Sequence, residues 1–146
     1  MANNRTITAA NSILMLSVAN LFPVPQKMQG FSADDVFDTD NIEPAETSMG
    51  VDGRLSAGWV ATSVRQNITL QADSESNDFF EQLQRAEQNA REKFVLTGIV
   101  LMPATSRKYQ LTRGFLRGLM VMPAARRTLQ PRRYTIEWES VSAAPV

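Results

Sequence analysis

Histidine and cysteine are both absent from the 146 residues. That removes the pairings that most often do chemistry in proteins: no Ser-His-Asp or Cys-His nucleophile, no imidazole base, no Cys/His zinc site. It also removes any disulfide, which suits an intracellular origin without establishing one. Catalysis would fall to carboxylates, Lys or Tyr. The charged residues are segregated by sign, which the balance of 15 acids against 15 bases conceals. Asp34, Asp35, Asp38, Asp40, Glu43, Glu46 and Asp52 follow one another with no base between them, and from Lys93 to Arg133 there are nine bases and no acid. Nearly half of the acids thus crowd one Gly- and Pro-containing stretch instead of standing as an isolated pair on ordered elements, and the chain reads as a non-enzyme.

Three other patterns suggest binding chemistry. "MGVDGRLSAGW" sets Gly50, Gly53 and Gly58 beside Trp59. A phosphate-binding loop needs Lys then Ser or Thr after its last glycine and a helix beyond, whereas Trp59 occupies the lysine position and the following residues alternate like a strand. The stretch therefore reads as a loop that closes an acidic excursion and feeds a strand near Arg54. Asp38 and Asp40 begin a calcium-loop order, but Ile42 and Glu43 break it where Asx and Gly belong. The expectation is no metal and no cofactor. Arg107, Lys108, Arg113, Arg117, Arg126, Arg127, Arg132 and Arg133 are the ingredients of a phosphate-binding face, yet aromatic interleaving is thin and the pI near 6.3 is low for a nucleic-acid domain. Arg113 and Arg117, two residues on either side of Phe115 and so on its strand face, more naturally meet carboxylates.

The elements that must position these residues are mostly strands. "RQNITLQAD" and "RYTIEWESV" alternate apolar and polar residues, the mark of half-solvated strands. "FVLTGIVLM" (Phe94 to Met102) is apolar on both faces and "YQLTRGFLRGLMVM" (Tyr109 to Met122) nearly so, so both need cover on two sides, from a second layer or a neighbouring subunit. "PATSRK" reads as the hairpin turn between them. Gly98, Gly114 and Gly118 inside these strands predict bulges or close backbone approaches. One helix is predicted in "SNDFFEQLQRAEQNAREKF", where Phe79, Phe80, Leu83, Ala86 and Ala90 form an apolar stripe, Ser76 or Asp78 caps the start, Asp78 and Glu81 have capping-box spacing, and Arg85, Arg91 and Lys93 lie toward the C-terminal end. "NSILMLSVANLF" behind Arg5 is too interrupted by Asn and Ser for a signal-peptide core and reads as an N-terminal strand. With 43% hydrophobic and 21% charged residues and no long apolar run, a single soluble domain is expected over 1–146.

Taken in order, "FSADDVFDTDNIEPAETSMGVDGRLSAGWVATS", "NITLQADSESNDFFEQLQRA", the paired strands and the closing "RRYTIEWESV" resemble the inner tail-tube proteins of contractile-tailed bacteriophages, over about Phe31 to Val141. The resemblance implies an antiparallel β-sandwich or barrel with one flanking α-helix, related in fold to the type VI secretion tube protein. It further implies hexameric rings stacked into a tube inside a sheath, with tape measure, baseplate and tail terminator proteins as partners. DNA would pass through the lumen without specific binding, and the protein would sit in the virion tail after assembly in the host cytoplasm, with no membrane contact. In that family a long loop between early strands reaches a neighbouring subunit; the matching segment is about 38–53. The expected contacts between copies are Asp38, Asp40, Glu43, Glu46 and Asp52 on the acidic side and Arg113, Arg117, Arg126 and Arg127 on the basic side. Such a contact joins unlike surfaces and repeats head to tail. The rival readings are a baseplate or tail-completion protein of the same fold, a tube subunit of a type VI-like injection system, and, from another class, an OB-type single-stranded nucleic-acid binder.

Overall fold

The computed structural model describes residues 10–32 and 36–145; Arg5, Asp34 and Asp35 lie outside them. It is mainly β, with strands β1 (Ile13–Val18), β2 (Phe22–Lys27), β3 (Phe37–Thr39), β4 (Ala45–Met49), β5 (Leu55–Trp59) and β6 (Val64–Leu70). Helix α1 (Asn77–Ala90) follows, then β7 (Leu96–Met102), β8 (Arg107–Leu119) and β9 (Arg132–Pro145). Seven strands form one antiparallel sheet in the order β2-β1-β7-β8-β9-β6-β3, while β4 and β5 pair only with each other. An OB barrel has five strands, so the topology is a different one.

Alternation decides which side chains face inward. Leu14, Leu16 and Val18 of β1, Leu96 and Val100 of β7, Leu111 and Leu116 of β8, and Tyr134, Ile136 and Trp138 of β9 are all buried on one face. The sheet curls round this face. The chain leaving β2 donates from the Met28 N–H to the Leu14 carbonyl (2.8 Å) at one margin, and from the Ser32 N–H to the Thr69 carbonyl (3.1 Å) at the other. Four residues reach at most ~14 Å, so the two margins come close together at this end.

Helix α1 plugs that end with Phe79, Phe80 and Leu83 of its predicted stripe, while Ala86 is half-buried and Ala90 exposed. Phe80 stacks on Tyr134 with ring centroids 4.0 Å apart, and Phe79 packs on Phe22 at 4.8 Å. The predicted caps are not used. Ser76 makes no side-chain cap; its Oγ instead accepts from the Gln29 N–H (2.7 Å), because tying the crossing segment to the helix satisfies a donor that would otherwise be left at the barrel mouth. The helix ends where Arg91 turns left-handed (φ 55°), and Glu87 reaches on to the Phe94 N–H (2.9 Å) and Lys93 Nζ (2.8 Å).

β7 and β8, expected to need cover on two sides, are interior to the sheet, with both edges hydrogen-bonded. Their apolar outer residues, Ile99 and Leu101 beside Met15 of β1, remain half-buried on the convex side. The open edges belong to β2, where Pro23 and Pro25 lack N–H groups, to the short β3, and to the end of β9, which pairs with β6 only as far as Trp138.

Candidate functional site

The segment expected to be an acidic loop is a β-hairpin arm. Met49 pairs with Leu55 and Ala45 with Trp59, and the Val60 N–H closes the base on the Pro44 carbonyl at 2.8 Å. The five-residue turn holds Gly50 and Gly53, while Gly58 lies in β5: Gly53 has φ +84°, a conformation that favours glycine, and Asp52 accepts from the Arg54 N–H at 3.1 Å. Every residue of both strands is exposed. Periodicity gives no sign of β4 because neither of its faces is buried.

The arm is more apolar than its acids suggest. Val51 at the tip is fully exposed, Trp59 is 80% exposed, and Met49 and Leu55 are at 65% and 60%. A two-stranded hairpin with no third layer is marginal in water, and the described residues of its own chain give this arm no cover.

The nominated acids divide by position. Asp38 in β3 and Asp40 beyond it both accept from Asn67 Nδ2, at 2.9 and 3.1 Å, which fixes them at the sheet margin. Glu43, Glu46 and Asp52 lie out along the arm, exposed, and among the described residues none of them joins an ion pair. No group of three carboxylates converges among the described residues.

The nominated bases divide as well. Arg117 pairs with Glu137, which also takes the Ser63 hydroxyl at 2.5 Å and Arg65 Nε at 3.6 Å. Hydrogen bonds from Ser63 and Arg117 hold the Glu137 carboxyl below the usual carboxylate range. Arg113 sits at a bulge with φ 44°, 4.0 Å from Glu139 and over the Phe115 ring at 5.7 Å. Both arginines meet carboxylates, as the spacing predicts, but carboxylates of their own chain on the convex face.

Arg126 and Arg127 are placed differently. β8 ends at Leu119, short of the predicted Met122, and residues 120–131 form a lobe before β9. Within it Ala125 bridges Leu129, the Arg126 N–H donates to Thr128 O (3.2 Å) and the Gln130 N–H to Ala124 O (2.9 Å), so both arginines stand at a tight tip. Val121, Met122 and Leu129 are 63%, 71% and 59% exposed around it. Beneath lies Arg132, 3% exposed, whose Nη2 donates to the carbonyls of Met120 and Val121 at 3.0 Å each while Nη1 reaches Glu81 at 3.2 Å. Sequence reasoning missed the lobe's apolar rim; the bracketing Pro123 and Pro131, unfit for interior strands, were its signal.

These surfaces can bind protein: one arm, acidic and apolar, and one lobe, basic and apolar. A family model described as "Tail fiber protein gp32" matches residues 5–142. No curated protein matches the sequence. Among solved structures, the sheath/tube terminator of the extracellular contractile injection system PVC in its extended state is similar with a TM-score of 0.65 at 12% identity, over 98% of this chain and 99% of that one. The tube-terminating cap of the anti-feeding prophage gives 0.64 at 10% identity, over 100% and 95%. A chain of the PVC sheath–tube complex in its extended state gives 0.61 at 12% identity, over 98% and 94%. At such identities the likeness is one of fold.

Proposed function

The chain belongs to the tail fiber protein gp32 family, and from that premise we propose that it is a structural tail component whose copies close into hexameric rings and stack as the inner tube of a contractile tail. The observation that carries this reading is the arm, with Met49, Val51, Leu55 and Trp59 held out in water while Leu14, Leu16, Ile136 and Trp138 are buried on the concave face of the sheet. Supporting it are the unpaired margin of β9 beyond Trp138, available to a strand of a sibling sheet, and the half-buried Met15, Ile99 and Leu101 on the convex side. Association would draw most of its affinity from covering these apolar surfaces, since exposed ion pairs contribute ~1 kcal/mol or less each.

In this role the protein has no catalytic function. DNA would traverse the lumen without specific contacts, and sheath, tape measure, baseplate and terminator proteins would be the partners. The likeness to a sheath/tube terminator and a tube-terminating cap favours one second reading, a ring that closes a tube without extending it. Negative-stain imaging of concentrated protein separates the readings. Tubes support the first and rings that never stack support the second; a dispersed monomer at high concentration overturns both.

A further inference from the structure

Resting on the self-assembly reading, we propose that the β4–β5 arm of one copy docks on the β8–β9 lobe of the next. The register puts the two at opposite ends of the same strand pair. Val64, where the chain returns from the arm, faces Trp138, whereas Leu70 faces Arg132, where the chain returns from the lobe. Six residues of strand separate the two ends, about 20 Å. The arm and the lobe of one molecule are therefore rooted at opposite ends of this strand pair, which leaves the arm free to meet a sibling's lobe.

The surfaces match in chemistry. The arm carries Glu46 and Asp52 with Arg54, and the lobe carries Arg126 and Arg127 and no acid. The five ion pairs among the described residues use Arg65, Arg113, Arg117, Lys93 and Arg132 as cations, so the convex-face arginines already share Glu137 and Glu139, whereas Arg126 and Arg127 of the lobe join no ion pair among the described residues. Each charged pair is flanked by exposed apolar side chains, Val51 and Trp59 on the arm and Val121, Met122 and Leu129 on the lobe. Paired charges set the register while apolar area supplies the affinity. The lobe is also pre-shaped: Arg132 and the Ala125–Leu129 bridge fix it before a partner arrives, which lowers the ordering cost of association.

A charge swap tests this contact. Arg126→Glu with Arg127→Glu makes an acidic lobe, and Glu46→Lys with Asp52→Lys makes a basic arm; circular dichroism and the denaturation midpoint verify that each variant folds. Each alone faces like charge at every contact and should need at least ~10-fold more protein than the wild type to sediment as particles. An equimolar mixture should recover assembly, because each arm then meets a lobe of opposite sign. In wild-type particles the emission of Trp59 should shift to the blue as the indole leaves water. If the wild type assembles and the separate variants assemble at the same concentration, or the mixture gains nothing over them, or Trp59 stays solvated, the arm–lobe contact is wrong and the self-assembly reading survives. A wild type that never assembles overturns the self-assembly reading and this contact with it.

Discussion

Gly114 lies flat against the indole of Trp138, its partner across the β8–β9 ladder, so closely that a Cβ at position 114 would come within 2.3 Å of Trp138 Cε3. The largest buried side chain of the core is thus seated by the absence of another. Gly114→Ala should destabilise the fold by about 1–3 kcal/mol through overpacking, read as a lower urea midpoint with an unchanged slope. An unaltered midpoint would show that the indole can shift aside.

Trp138 Nε1 donates to Gln66 Oε1 at 3.0 Å, both groups being buried. Trp138→Phe or Gln66→Leu alone leaves one polar group without its partner, at a cost of about 1–3 kcal/mol beyond the change in packing. Both changes together should cost less than the sum of the two, and strict additivity in a double-mutant cycle would refute the pairing.

Acid and alkali act on different residues. The folded-state pKa of Glu137 is lowered, so its contribution is present above the ordinary value of 4.5 and fades as pH falls through the lower folded value. Glu137→Gln should remove that part of the acid limb in urea titrations, an effect kept small by solvent screening. Burial raises the phenol of Tyr134 from 10.0 to about 12, offset in part by Arg132. Its contribution is present below 10.0 and fades as pH rises through about 12. Tyrosinate absorbance should show one phenol ionising late, and Tyr134→Phe should abolish that step.

The arm contributes nothing to the core. Replacing residues 45–59 by a short Gly/Ser linker across the Pro44–Val60 closure should leave the denaturation midpoint within about 0.5 kcal/mol of the wild type. Particle formation should be lost in the same variant, as measured by sedimentation. A large drop in stability would mean that the arm packs on the domain in solution.

Arg132 is the anchor of the lobe. Arg132→Met would release two carbonyls and should cost about 1–3 kcal/mol. Trypsin cleavage after Arg126 or Arg127 should accelerate well beyond the change in global stability, because the lobe opens locally. Equal cleavage rates would show that the bridge between Ala125 and Leu129 holds the lobe unaided.

Where one face of an element is buried, the sequence reveals it. Ile68 and Leu70, Ile136 and Trp138, and the Phe79–Phe80–Leu83 stripe fall as their periods predict, because burial imposes alternation. The strand expected near Arg54 is β5, but the same logic is silent on its partner β4, whose two faces see water, so an acidic loop is the natural reading of that half of the hairpin. It is silent too on sheet order: apolarity on both faces of β7 and β8 calls for cover without saying which strands flank them, and only pairing places them inside. Among the site residues, even spacing correctly sends Arg113 and Arg117 to carboxylates, but spacing carries no information on whose carboxylates they are. Arg126 and Arg127 stand apart only once the tight tip between Ala124 and Gln130 is known.

Because the arm and the lobe leave the β6–β9 pair at opposite ends, any chain of molecules joined through them has polarity. Where the proposed contact runs between rings and does not close on itself, one end of the stack displays unfilled arms and the other unfilled lobes, and no symmetry of the contact makes them equivalent. Growth can then be started and stopped by different proteins, one presenting a lobe-like receptor and the other an arm-like plug, each blind to the wrong terminus.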